Sequence, residues 1–110
     1  ECLVGSEMCI RDSTITEQYR NMKEIIDTCM ELIERATAAC KECNIPPLIT
    51  PIRGGTDGAQ LSFMGLPCPN LGTGGHAYHG PYEHITVEGM NIAVEVGLKI
   101  IELFYKYPFI

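Results

Sequence analysis

At 110 residues the chain has the length of one small domain, and 45% hydrophobic with 20% charged residues is ordinary globular composition, which excludes a disordered chain and a scaffold held by disulfides alone. The net charge of −6, with Lys and Arg scattered, excludes the basic footprint of a nucleic-acid binder, and no apolar run approaches the roughly 20 residues that cross a bilayer. The N-terminus lacks the basic-then-apolar layout of a secretory signal, so the expected location is cytoplasmic, with the six cysteines as free, mostly buried thiols.

Residues 1–13, ECLVGSEMCIRDS, follow neither a strand nor a helix period. They resemble translated sequencing-adapter DNA, and the expectation is a foreign leader. Residues 14–22, TITEQYRNM, alternate Ile15, Glu17 and Tyr19 with Thr14, Thr16 and Gln18 and predict a strand. From Lys23 onward Ile26, Met30, Ile33, Ala36 and Cys40 share one face of a helix ending near Asn44, with a break near Asp27 or Thr28, where a new helix can be capped. Cys40 and Cys43 form a C-x-x-C at the end of that helix, away from the N-terminal position that activates such thiols. Pro46 and Pro47 stop the helix, since proline supplies no amide.

PLITPIR, 47–53, reads as a short strand, with Pro51 acceptable only at an edge or an end. The pair Gly54–Gly55, before Thr56, predicts a hinge. DGAQLSFMG, 57–65, predicts a short helix capped by Thr56 or Asp57. LPCPNL, 66–71, predicts a buried strand that enters the glycine-rich loop GTGGHAYHGPYEH. Thr86 then caps a long helix with Glu88 in its first turn. Its apolar stripe runs through Met90, Ala93, Val94, Gly97, Ile101 and Phe104, widened by Val96 and Ile100.

Two places could carry chemistry. In IRGGTDG, Arg53 offers a planar fork for a carboxylate, Gly54 and Gly55 let a ligand approach the backbone, and amides at the following helix start could donate to an anion. An exposed Arg53 paired to a neighbouring acid explains the pattern equally well. In the loop, His76 and His79 form an H-x-x-H after a predicted strand, where α/β proteins place ligand groups. Two histidines fall short of a zinc site, which needs at least three protein ligands. Glu83 or Glu88 could add a carboxylate, and loop histidines with hydrogen-bonded rings are the competing reading. Asp57 is expected as a cap, and Met64, Tyr78 and Tyr82 as core or pocket lining.

Read together, PIRGGTDGAQLSFMGLPCPNLGTGGHAYHG and YEHITVEGM, with QYRNM upstream, resemble the peptidase T family over about residues 14–105. These are tripeptide aminopeptidases of the two-zinc aminoacylase and carboxypeptidase superfamily. The resemblance implies an α/β fold, specifically the C-terminal part of a two-domain zinc peptidase. Residues 14–53 would be the last strand, helix and strand of an α+β lid, and 54–110 the final segment of the α/β catalytic domain. It implies two zinc ions, a tripeptide substrate, neither nucleic acid nor membrane as partner, and a possible homodimer through the lid.

The histidine of the family's YHG motif is a zinc ligand, which falls on His79. Arg53, Gly54, Gly55 and Thr56 match the segment that embraces the substrate. His76 stands where the family has another residue, often aromatic, and Gly72 where a large one is expected. The other metal ligands and the base glutamate are expected to lie in sequence preceding this chain, so no catalytic residue is assigned within it and the chain alone is expected to be inactive. Two alternatives stay open: a non-catalytic interaction module, or another peptidase or acylase of the superfamily.

Overall fold

The computed structural model of the chain describes residues 13–108. Residues 1–12, nearly all of the expected leader, and residues 109 and 110 lie outside the described residues. Within them the chain forms α1 (Lys23–Ile26), α2 (Met30–Glu42), α3 (Asp57–Phe63) and α4 (Val87–Lys106). A 3-10 turn, Asp27–Cys29, joins α1 to α2. That turn is the predicted break. The Thr28 hydroxyl donates to the Ile25 carbonyl at 2.6 Å, a local side-chain bond that competes with the regular helical ladder.

The helix ends follow their sequence signals. After α2, Asn44 adopts φ +59 and the Ile45 amide reaches back to the Cys40 carbonyl at 2.9 Å. After α3, Gly65 adopts φ +103 and Leu66 reaches back to Leu61 at 3.0 Å. Both closures are Schellman motifs, and the left-handed residue that each requires is one of the two types that tolerate it best. The Thr56 and Thr86 hydroxyls accept from the amides three residues on, at 3.2 and 2.9 Å, and cap α3 and α4 as predicted.

The α/β expectation is not met at the level of strands. The segments predicted as strands, 14–22, 47–53 and 66–71, are irregular, and the sole β pairing among the described residues is an isolated antiparallel bridge between His76 and His84. A strand exists through its ladder partner, and β-rich composition without a neighbour leaves the backbone unpaired. Leu66 is exposed and Cys68 half-buried, so LPCPNL is not the buried strand expected.

Packing divides between two contacts. Helix α2 lies against α4, where Ala39 and Val96 are buried and the Arg35 guanidinium stacks 4.5 Å from the centre of the Phe104 ring. Helix α1 lies against α3, with Ile26 and Ala59 buried. The predicted α4 stripe splits: Val96 is covered, whereas Met90, Val94 and Ile101 are exposed, because the helix is apolar on two sides and α2 covers one. The radius of gyration is 19.1 Å, against about 13 Å expected of a compact domain near this length. Cys29, Cys40, Cys43 and Cys68 are free but half-buried, less deeply placed than predicted; Cys2 and Cys9 lie outside the described residues. Among the described residues no helix is long and apolar enough to cross a membrane.

Candidate functional site

The corner from Arg53 to Asn70 is built by interlocking short-range and long-range contacts. Gly54 turns the chain at φ +77 with open space where a side chain would stand. Gly55 serves a different end: a Cβ there would lie 2.2 Å from the Tyr19 ring, so the absent side chain is what lets Tyr19 pack on the backbone. Thr56 accepts from the Ala59 amide at 3.2 Å and from Asn70 Nδ2 at 3.1 Å. Both acceptor positions of its hydroxyl are occupied and its proton is left to donate. Asp57 stands in the first turn of α3 rather than at the cap itself, where its charge favours the helix N-terminus.

Behind this turn, Ser62 is buried and bridges two backbone groups, donating to the Gly58 carbonyl at 2.7 Å and accepting from the Cys68 amide at 3.0 Å. The Cys68 carbonyl lies so close to Gly58 that a Cβ would approach it to 2.5 Å. Residues before α1 lie along α3: Gln60 Nε2 donates to the Gln18 carbonyl at 2.8 Å, and the Arg20 guanidinium stacks 4.6 Å from the Phe63 ring centre. Sequence reasoning missed Asn70, Ser62 and Tyr19 as supports. Their partners lie up to 40 residues away, beyond the reach of local pattern.

Arg53 is exposed and makes no ion pair among the described residues, so the neighbouring-acid explanation of its position is not realised. The depression beside α3, about 140 Å³ and lined by Glu17, Gln18, Arg20, Ala59, Gln60 and Phe63, does not include it. That volume is well below the roughly 300–1,000 Å³ of small-molecule pockets. The corner presents a surface rather than an enclosed site.

The histidine loop closes on itself. His76 and His84 exchange backbone bonds at 2.9 and 3.1 Å and stack their rings 5.1 Å apart. His84 is the partner that the H-x-x-H reading overlooked. The signal was present in the turn residues Gly80 and Pro81 between the two histidines. Between them Ala77 and His79 adopt φ +55 and +63, uncommon for residues with a Cβ. The His79 amide donates to Glu83 Oε1 at 3.1 Å, and its residue is exposed. Glu83 thus ties down the backbone of His79. Thr73, Gly75, Tyr78, Glu83, His84 and Ile85 line an open depression of about 290 Å³.

Among the described residues no three His, Cys, Asp or Glu side chains converge where a metal ion could be held. The described residues therefore do not by themselves fit a pair of zinc ions. His79 is one accessible donor, held at a loop tip by a left-handed backbone.

No protein-family model matches the chain. The chain is 60% identical over 93 residues to peptidase T of Alkaliphilus oremlandii, which covers 84% of this chain and 23% of the relative. Peptidase T of Clostridium perfringens is 56% identical over 91 residues, covering 83% and 22%, and that of Pectobacterium carotovorum 53% over 95 residues, covering 86% and 23%. The chain is thus a relative of peptidase T, similar to it over most of its own length while spanning less than a quarter of the proteins it matches.

Proposed function

We propose that the chain is the substrate-embracing and single-ligand segment of a zinc-dependent tripeptide aminopeptidase, an enzyme that releases the N-terminal residue of a tripeptide. The observation that carries this reading is the 53–60% identity with peptidase T across some five sixths of the chain. Two zinc ions, a cytoplasmic location, a lid contribution from residues 14–53, a catalytic-domain contribution from 54–110 and a homodimer through the lid belong to the same reading.

The residues divide the work as follows. Arg53, exposed and without an ion-pair partner among the described residues, receives the substrate carboxylate in a two-point hydrogen bond. Open space at Gly54 lets the peptide backbone approach. Thr56, its lone pairs already engaged by Ala59 and Asn70, turns its remaining proton toward the same carboxylate. Gly55 keeps the turn in place by admitting Tyr19. His79 supplies one metal ligand, and its left-handed φ is the kind of local strain that clusters at ligand clamps. Water activation belongs to groups that the described residues do not bring together, so no catalytic step is assigned to this chain.

The test is a chimera in which these residues replace the matching segment of the Alkaliphilus oremlandii protein. The expectation is tripeptide hydrolysis, with His79→Ala losing both bound zinc and activity. Arg53→Lys should raise KM with little change in kcat, since an ammonium cannot reproduce the fork. A folded chimera that neither binds zinc nor hydrolyses tripeptides would remove the reading and favour an interaction module.

A further inference from the structure

The hydroxyl that caps α3 has a second partner. A threonine hydroxyl carries two lone pairs and one proton. At Thr56 the Ala59 amide takes one lone pair at 3.2 Å, the usual capping bond, and Asn70 Nδ2 takes the other at 3.1 Å. Asn70 is held for that contact from two sides. Two residues earlier the Cys68 amide is tied to the buried Ser62 hydroxyl at 3.0 Å. Asn70 Oδ1 lies over Gly58, where a Cβ would approach it to 2.9 Å, so the missing side chain at Gly58 makes the seat of the asparagine amide.

The consequence is one of sign. With both lone pairs engaged, Thr56 can give a ligand a proton and cannot accept one. The Arg53 guanidinium likewise carries donors alone. A carboxylate, which only accepts, is served by both groups; a terminal amide, whose NH2 needs an acceptor, finds none at Thr56. We infer that Asn70 is a specificity-determining positioning residue, which acts through the Thr56 hydroxyl to favour peptides ending in a free carboxylate over those ending in an amide. This deepens the functional reading above and rests on it. Asn70→Asp keeps the shape of the side chain and reverses its sign. The donor becomes an acceptor, the Thr56 proton turns inward toward it, and a lone pair is left to meet the ligand.

The test uses the chimera with the Alkaliphilus oremlandii protein and compares kcat/KM for a tripeptide with that for the same tripeptide as its C-terminal amide. The ratio of the two, taken within one protein, does not depend on how much of it is folded. Asn70→Asp should lower the ratio by about tenfold or more, chiefly through KM for the free acid, because a hydrogen bond to a charged group is lost. Asn70→Ala frees a lone pair without supplying an acceptor and should lower the ratio less, by about threefold. A role in packing alone predicts the reverse order, since aspartate keeps the volume of asparagine and alanine does not. In a Thr56→Val background Asn70→Asp should change the ratio no further, as no hydroxyl remains to be turned. Direct repulsion between the new carboxylate and the substrate would persist there. An unchanged ratio in Asn70→Asp, a larger effect of Asn70→Ala, or an undiminished effect in Thr56→Val each overturns the inference and leaves the functional reading standing. A folded parent chimera that hydrolyses neither peptide removes the functional reading, and the inference with it.

Discussion

The corner at 53–70 and the loop at 72–86 are both glycine-rich and both exposed at their tips, yet they are held in different ways. In the corner, hydrogen bonds connect residues far apart in sequence, Gln60 to Gln18 across 42 positions and Asn70 to Thr56 across 14. In the loop, the longest-range bonds are those between His76 and His84, eight positions apart, and the rest are tighter turns such as His79 to Glu83. A segment fixed by distant partners is as stable as those partners. A segment closed on itself keeps its shape but offers its tip to whatever lies beyond. The difference separates a corner fixed by distant contacts from an exposed loop tip that carries His79.

The contrast breaks most severely at Gly58. Gly58→Ala should raise helix propensity by up to about 1 kcal/mol, but its methyl group would stand 2.5 Å from the Cys68 carbonyl and 2.9 Å from Asn70 Oδ1. The clash with backbone wins, and a net loss of about 1–3 kcal/mol is expected in urea or thermal unfolding followed by circular dichroism. Ser62→Ala should cost about 1–3 kcal/mol, because it strands the Cys68 amide in a buried position. In the loop, His84→Ala removes an exposed ring stack while leaving the backbone bridge, and a change within about 0.5 kcal/mol is expected. A loss at His84 as large as that at Ser62 would erase the distinction between the two regions.

The smallest expected effect lies on α4, away from both regions. Hydrogen bonds from Lys106 at 2.7 Å and Lys99 at 3.0 Å hold the Glu102 carboxyl below its ordinary value of 4.5, and Glu102 in turn raises both lysines above 10.5. A depressed carboxyl stabilises the fold above its unfolded pKa and loses that contribution as pH falls through the lower folded value; the raised lysines lose theirs as pH climbs past 10.5. The triad is solvent-accessible, so Glu102→Gln should flatten the acid limb of a melting-temperature profile below pH 4.5 by a barely resolvable amount.

Much of this was legible in the sequence where the signal is local. Thr56 and Thr86 as caps, the stop at Pro46, and the break at Asp27–Thr28 each depend on residues within a turn of one another. The strands were not legible, because TITEQYRNM and LPCPNL have strand composition while a ladder depends on a neighbour that no local pattern supplies. The two-sided apolar character of α4 was read as one wide stripe, since periodicity gives the faces of a helix but not which of them is covered. Of the candidate site, Arg53 and His79 stood out by residue type. Their supports, Tyr19, Asn70 and Glu83, did not, because tyrosine, asparagine and glutamate carry no marker of the atom they will meet.

The most direct test of the central claim, that this chain carries one ligand of a metal site rather than the whole of it, is tripeptide hydrolysis by the purified 110-residue chain as zinc is titrated in. The account predicts no hydrolysis at any zinc concentration and weak zinc binding that His79→Ala diminishes. Zinc-dependent release of the N-terminal residue that disappears in His79→Ala would contradict it.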